Sequence, residues 1–478
     1  MSSSIGFIRI ERNVEQKNQF DYEQGTTIAA LATPPGMGGI AVVRISGERA
    51  YEVAAAVFRP KDPKKDLRKA RGYTALFGYF VQDGVICDEI VALCFRAPRS
   101  YTGEDVVELS CHGGSAVSAR LLRACHAAGA APAAPGEFTR RAFLSGRISL
   151  TQAEAVMDII GASSRQGADA AAAVMEGALY KKIESVRALL LPLAGHIAAA
   201  ADYPEEDVPE LADAVVSDTL CAAKSVLDAL IAGYDTGAVL RRGVRTAIVG
   251  SPNVGKSTLL NLLSGFERAI VTPIAGTTRD VVEQEIQLAG VRLLLADTAG
   301  LRETDDAVEA EGIRRSYRHL ERAGLVLAVF DGSAPLSADD FSLAEKCAGR
   351  PAVAIVNKSD LLQKLSQDAL RPYFTSVISI SARDAAFLPA VERAVADALR
   401  LAQIDPDACL LANERQLSAA RAAQDALRDA LDALQNGMTI DAVGVCIDDA
   451  LNALYTLTGE NATDDVIDEV FSKFCVGK

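Results

Sequence analysis

The sequence predicts a multidomain fold of the α/β plus α class: an N-terminal α+β domain, a helical domain, and an α/β domain inserted into it. Three observations carry this. Residues 25–142 hold short apolar runs broken by Gly and Pro. Residues 143–242 are rich in Ala, Leu, Glu and Lys and poor in Pro, and helical patterning returns over 404–478. Residues 243–403 alternate strand-length and helix-length apolar segments, the pattern of a parallel sheet. At 478 residues the chain is also too long for one ordinary core.

In the first region, Ile28–Ala32, Ile40–Ile45, Glu89–Arg96 and Val106–His112 read as strands, with helical stretches at Arg49–Val57 and Ser115–Ala128. In the second, Gln152–Ile160, Ala168–Ala200 and Asp213–Gly233 read as amphipathic helices. Strands of the third region are expected at Arg245–Val249, Val291–Ala296, Leu325–Phe330, Ala352–Val356 and Val377–Ile380. Helices follow at Ala412–Gln435, Ile440–Thr458 and Thr463–Phe474. The simplest account is one helical core interrupted by a complete α/β domain, because a domain with close termini can be inserted without disturbing its host. Two independent helical domains fit the same pattern.

Hydrophobic content is 49% and charged content 23%, as in globular proteins. No apolar run reaches the roughly 18 residues of a membrane span, so no membrane association is expected. Residues 1–24 read as a flexible extension and not as a signal peptide. Nine scattered Cys with no Cys-x-x-Cys pair imply neither a zinc site nor a disulfide framework, and a reducing cytoplasm fits them. A net charge of −14 argues against wrapping nucleic acid over the whole surface. It leaves room for a local patch: Lys61, Lys64, Lys65, Arg68, Lys69 and Arg71 form one basic run, which reads as a solvated loop on its own.

The chemistry lies in the inserted region. Gly250–Ser257 matches G-x-x-x-x-G-K-[ST] between an expected strand and an expected helix, the context a phosphate loop requires. Its backbone N–H groups and the helix dipole suit phosphate, Lys256 suits the β- and γ-phosphates, and Ser257 suits Mg²⁺. Asp297-Thr298-Ala299-Gly300 follows an apolar strand, placing a carboxylate near the Mg²⁺ shell and a backbone N–H toward the γ-phosphate. Asn357-Lys358-x-Asp360 follows another. The Asp360 carboxylate can accept from the N1–H and exocyclic amine of guanine, donors that adenine lacks in that arrangement. Ser381 and Ala382 would support the base, and Thr278, within Gly276–Asp280, is the natural second Mg²⁺ ligand. The expected GTP-binding set is Asn253, Val254, Gly255, Lys256, Ser257 and Thr258; Thr272, Pro273, Ile274, Ala275, Gly276, Thr277 and Thr278; Asp297, Thr298, Ala299 and Gly300; Asn357, Lys358 and Asp360; and Ser381 with Ala382. These elements make the inserted region a Ras-like P-loop GTPase domain.

Two features stand out. Asn253 offers a hard oxygen beside the phosphates, which suits either a monovalent cation or a turn-shaping role. Leu301 stands where Ras-like GTPases carry their water-positioning Gln. Glu303, Asp305, Asp306, Glu309 and Glu311 follow it, as helix-entry charges or as a source of a replacement carboxylate. The spacing does not choose among them.

The P-loop domain and its flanking helices occur together with several further motifs. These are Thr33–Gly36 with Arg44–Gly47, Tyr101–Leu109, His112–Gly114, Pro135–Phe138, Ala153–Ala155 and the terminal Phe474-Cys-Val-Gly-Lys478. Over residues 26–478 this set resembles the MnmE (TrmE) family of tRNA-modifying GTPases. The resemblance implies an N-terminal tetrahydrofolate-binding and dimerisation domain over 25–142, a helical domain in two parts (143–242 and 404–478), and a G domain over 243–403. It implies a homodimer that joins the FAD-dependent protein MnmG (GidA) in a heterotetramer. That assembly modifies the wobble uridine, position 34, of certain tRNAs to a 5-carboxymethylaminomethyluridine-type product. FAD would sit on the partner. A 5,10-methylene or 5-formyl tetrahydrofolate would be held by Arg44, Glu108, Arg147 and Lys478. Arg147 stands where many members have Lys, a cation of different geometry. The resemblance further implies Mg²⁺ at Ser257 and Thr278, K⁺ at Asn253, Thr272, Ile274 and Thr277, and Glu309 as the catalytic carboxylate in hydrolysis activated by G-domain pairing. Cys475 is either a thiolate nucleophile or a buried neighbour of the folate. A ribosome-assembly GTPase with appended domains would share the G domain, but has no use for the Arg44–Lys478 constellation. A scaffold using GTP only to stabilise a dimer has no use for a complete metal shell.

Overall fold

The computed structural model describes residues 25–478 except 163, 203–210, 236, 239–242, 265–283, 296–319, 321–322 and 402–410. The chain divides into two compact units, one ending at Ile148 and joined by Thr463–Lys478, the other spanning Ser149–Ala462.

The first unit is built on a seven-stranded sheet ordered β3-β4-β5-β6-β2-β1-β7. Its strands are β1 (Ile28–Leu31), β2 (Ile40–Ser46), β3 (Phe58–Pro60), β4 (Thr74–Gln82), β5 (Val85–Phe95), β6 (Val106–His112) and β7 (Ala131–Pro132). All pairings are antiparallel except β1 with β7. Strict alternation sets the faces. Val43, Ile45, Leu109 and Cys111 point to one side and pack under α1 (Ala50–Val57) and α2 (Ser115–Ala127). Arg44 and Glu108, at the intervening positions, point to the other side and stand directly opposite in the β2–β6 register. Apolar alternation therefore creates the cross-strand ion pair that the site later uses. Strands β3, β4 and β7 were not among the expected ones.

Helix α3 (Glu137–Leu144) follows β7. The last helix of the chain (Asp464–Ser472) returns to it rather than to the bundle, which divides the helical part expected over 404–478. Aromatic packing decides this. Phe471 lies 6.3 Å from Phe143 and 5.1 Å from Phe474, and Arg140 reaches Asp468 at 2.7 Å. The final residues then run past α3: Pro135 bridges Val476, Gly136 N–H donates to the Cys475 carbonyl, and Phe138 N–H donates to the Lys478 carbonyl.

In the second unit, α4 (Leu150–Gly161) opens with a capping box between Ser149 and Gln152. Helices α5 (Arg165–Met175) and α6 (Ala178–Asp202) replace the single helix expected over Ala168–Ala200, because the backbone turns at Gly177, where φ is 88°. Helix α7 (Asp213–Ala232) follows. Each long helix carries buried residues spaced alternately four and three apart: Leu179, Ile183, Val186, Leu190, Leu193 and Ile197 on α6, and Val216, Leu220, Ala223, Leu227 and Leu230 on α7. That 3.5-residue seam is the signature of bundle packing. The segment Ala178–Ala200 has the length and composition of a membrane span, but its seam is buried in this core.

The inserted domain has a six-stranded sheet ordered β13-β12-β11-β8-β10-β9. The strands are β8 (Val244–Val249), β9 (Gln284–Leu288), β10 (Val291–Leu295), β11 (Leu325–Asp331), β12 (Ala352–Asn357) and β13 (Ser376–Ser379). All are parallel except β9. Strand β12 is buried throughout and β11 nearly so, which explains their unbroken apolar sequences. Helices α8 (Lys256–Ser264), α9 (Ala338–Cys347) and α10 (Leu388–Ala398) belong to the same domain. The bundle is then completed by α11 (Glu414–Gln435) and α12 (Ile440–Thr458). Their buried seams, Leu427 and Ala430 on α11 and Val443, Ile447, Ala450, Leu454 and Leu457 on α12, join those of α6 and α7 in one cluster. The bundle is thus one core interrupted by the α/β domain. Arg415 of α11 clamps it through both Glu154 oxygens, at 2.9 and 2.8 Å.

Candidate functional site: a phosphate loop and a cation-rich C-terminal pocket

The chain leaves β8 at Gly250 and enters α8 at Lys256, so the Gly250–Ser257 loop lies at the carboxyl end of the sheet. Strand β8 sits between β10 and β11, where strand order reverses and ligands of open α/β sheets bind. Asn253 adopts a left-handed conformation with φ 61°, and Gly255 lies at φ 102°. The Lys256 ammonium donates to the carbonyls of Gly250 and Ser251 at 2.9 and 2.8 Å, and burial pushes its pKa down. A half-buried cation at a helix start suits phosphate oxygens.

The guanine motif is tied to this loop. Buried Asn357 donates through Nδ2 to the Val254 carbonyl at 2.8 Å and accepts at Oδ1 from the Ala382 N–H at 2.9 Å. One side chain thereby joins the phosphate loop, β12 and the segment after β13. Ser381 bonds the Asp360 carboxylate, and this, with nearby Arg383 and Lys358, holds that carboxyl below its usual range. Asp360 is therefore a charged acceptor under ordinary conditions, as guanine requires.

Two acids that the sequence reading passed over shape this pocket. Asp331, at the end of β11, binds the Lys358 ammonium at 2.5 Å and the Ser333 hydroxyl at 2.7 Å. Burial opposes its charge, but these bonds hold its carboxyl below the usual range. Asp340 caps α9 through Ser337 and accepts from the Ser251 hydroxyl at 2.8 Å. Both stand at strand-end or helix-start positions that a search for ligand-binding motifs does not flag. Asn253, Val254, Gly255, Lys256, Ser257, Thr258, Asn357, Lys358, Asp360, Ser381 and Ala382 all lie at the carboxyl end of the sheet. Thr272 to Thr278, Asp297 to Gly300, Leu301 and Glu309 lie outside the described residues.

The second constellation is in the first unit. Arg44 Nε donates to Glu108 Oε1 at 2.8 Å, and its Nη1 reaches the Gly477 carbonyl at 3.4 Å. The same guanidinium lies 5.2 Å from the Tyr101 ring centre and 5.5 Å from that of Phe138. Arg147 lies 5.3 Å from the Tyr101 ring and donates to the Tyr101 carbonyl at 2.9 Å. Burial first, and then the Arg44 charge, push the Lys478 ammonium pKa down, while Glu108 opposes the shift. All four expected residues are thus brought to one place from positions 434 residues apart (478 − 44). The sequence reading gave Tyr101 and Phe138 no role, although both stand in motifs it singled out. Cys475 is exposed, so it is not the buried neighbour that one reading required.

A phosphate loop tied through Asn357 to the segment after β13 defines a P-loop nucleotide-binding protein, its α/β domain inserted in the sequence of a helical bundle. Residues 27–147 match the family model described as GTP-binding protein TrmE N-terminus, and residues 150–475 match that of the MnmE helical domain. The tRNA modification GTPase MnmE of Heliobacterium modesticaldum is 42% identical over 465 residues, covering 95% of this chain and all of that protein. The MnmE proteins of Symbiobacterium thermophilum and Acetivibrio thermocellus are 43% and 37% identical, each covering 95% of this chain and 99% of the relative. The chain belongs to the MnmE family of tRNA modification GTPases. It is a GTP hydrolase of tRNA modification.

Proposed function

We propose that the chain works as a homodimer which, together with the FAD-dependent MnmG (GidA), installs a 5-carboxymethylaminomethyl-type group on the wobble uridine (position 34) of certain tRNAs. The reading places the assembly in the cytoplasm. The observation that carries it is the seating of Lys478 beside the Arg44–Glu108 pair, with Arg147 against the same Tyr101 ring that Arg44 meets. Three cations, one carboxylate and an aromatic face fit a tetrahydrofolate derivative, which has carboxylates at one end and a flat heteroaromatic ring at the other. The 5,10-methylene or 5-formyl form, when bound, supplies the one-carbon unit. Arg44, Arg147 and Lys478 then hold its anionic groups, and Glu108 accepts from ring N–H donors.

In the G domain, Lys256 neutralises the β- and γ-phosphates and Asp360 selects guanine. Ser257 and Thr278 suit Mg²⁺. Asn253, with Thr272, Ile274 and Thr277, suits K⁺, whose charge stabilises the transition state where an arginine finger otherwise acts. Asp297 to Gly300 complete the phosphate end, and Glu309 orients water in place of the absent Gln. Pairing of two G domains brings these parts together.

Hydrolysis in K⁺ is expected to exceed that in Na⁺ by at least about tenfold, with and without the partner protein. Equal rates in the two salts would remove the K⁺ assignment. Glu309→Ala is expected to lower hydrolysis by about 10² or more while GTP affinity changes little. A comparable loss of nucleotide binding, measured by titration with a fluorescent GTP analogue, would make Glu309 structural.

A further inference from the structure

We propose that the segment from Arg59 to Tyr73 is an RNA-docking surface that takes the phosphate backbone of tRNA and stacks an exposed base. The proposal rests on the tRNA-modifying activity of the family and adds where this acidic chain meets its RNA. Residues 59–71 carry seven cations (Arg59, Lys61, Lys64, Lys65, Arg68, Lys69, Arg71) and two acids (Asp62, Asp66), a net of +5 in a chain of net −14. All seven cations are exposed. Arg68 pairs with Asp66; among the described residues the other six form no ion pair. Their charge is therefore not spent inside the protein.

The loop is also fixed, which separates it from an ordinary solvated charge run. Leu67 is 1% exposed and anchors the loop into the sheet's core, while Asp66 caps the short turn Leu67–Lys69. Arg96 donates to the Arg68 carbonyl at 2.6 Å and to the Ala70 carbonyl at 3.3 Å. Arg96 is itself held over the Tyr51 ring at 3.4 Å and by Asp105 at 2.6 Å. The backbone beneath the cations is thus pinned at both ends, so little loop-ordering entropy remains to be lost on binding.

Aromatic rings lie among the cations. Tyr73 is 71% exposed, with its ring set edge-on to Phe95 at 5.9 Å. Phe77 is 45% exposed and carries the Lys61 ammonium at 5.0 Å, and Arg59 lies 5.9 Å from the Tyr79 ring. Unpaired cations track a phosphate backbone, and exposed rings stack unpaired bases. An anionic membrane also attracts such a run by charge alone, so the vesicle measurement below separates it from RNA.

The test uses the full chain with Lys64, Lys65, Lys69 and Arg71 all changed to Gln, beside a control with Lys181→Gln and Lys182→Gln. Binding of unfractionated tRNA is measured by fluorescence anisotropy across a salt series. Four lost phosphate contacts should lower the log K versus log salt slope by about 3 and weaken binding at least about tenfold near 0.1 M salt. The control should match wild type, and basal GTP hydrolysis should be unchanged in both, which shows that each variant is folded. Tyr73→Ala should reduce binding of single-stranded poly(U) by about fivefold or more. Unchanged tRNA affinity and slope in the four-residue variant overturn the proposal while leaving the family activity standing. Absence of tRNA binding by wild type overturns it too and assigns RNA capture to the partner. Loss of binding to phosphatidylglycerol vesicles with tRNA binding intact would make the surface a membrane contact and likewise overturn it.

Discussion

Replacing Asp360 with Asn is expected to lower the GTP hydrolysis rate at limiting substrate by at least about 100-fold and to create activity with XTP. The carboxylate has two acceptor oxygens and no donor, which matches the N1–H and amino group of guanine. Asn keeps one acceptor and gains a donor. That pattern matches xanthine, whose C2 carries a carbonyl. The native structure is prepared for the charged form, because Ser381 bonds the Asp360 carboxylate and Lys358 and Arg383 lie nearby. Lys358 itself is fixed by Asp331. Initial rates with GTP and XTP, measured side by side for both proteins, provide the check. Retained preference for GTP in Asp360→Asn would place base recognition elsewhere.

Removing Val476–Lys478 is expected to weaken binding of 5-formyltetrahydrofolate by roughly 30-fold while leaving basal GTP hydrolysis unchanged. Truncating one member of a close charge cluster costs about 2–5 kcal/mol, and Lys478 is only half-buried, so the lower end applies. The deletion also strips the Gly477 carbonyl from Arg44 and the Lys478 carbonyl from the Phe138 N–H. Gly477→Ala provides a second variant that keeps every charge. Its φ of 98° disfavours any side chain, and a Cβ there would overlap the Leu31 carbonyl. Displacing the tail in this way should reproduce most of the loss. Calorimetry that finds native folate affinity in both variants would remove the C-terminus from the pocket.

Much of this was legible in the chain itself, because local periodicity reports which face is buried. Strands β2 and β6, the parallel run β8, β10, β11 and β12, and the long helices α7, α11 and α12 all fall close to their expected places. Strand β4 was not among the expected strands although its interior alternates, and Gly78 interrupts its apolar run. The long helix over Ala168–Ala200 failed at one residue, Gly177, whose left-handed backbone ends α5. The phosphate loop and guanine motif were readable because their spacing is short and their chemistry demands particular residue types. Asp331 and Asp340 were not, since they bind protein groups and any acid in a favourable place could serve.

What the sequence determined alone is therefore the local part: which segments form helices and strands, the presence of a guanine-nucleotide pocket, and the family. What tertiary structure decided is which distant residues meet. The seams of α6, α7, α11 and α12 merge into one core, so the G domain is an insertion and not a divider between two helical domains. The last helix leaves that bundle for α3, because Phe471 packs with Phe143 and Phe474, and this carries Lys478 to Arg44 and Glu108. The physical reason is range. Backbone propensity and capping act over a few residues, whereas burial of aromatic surface and pairing of charges act wherever the folded chain closes on itself.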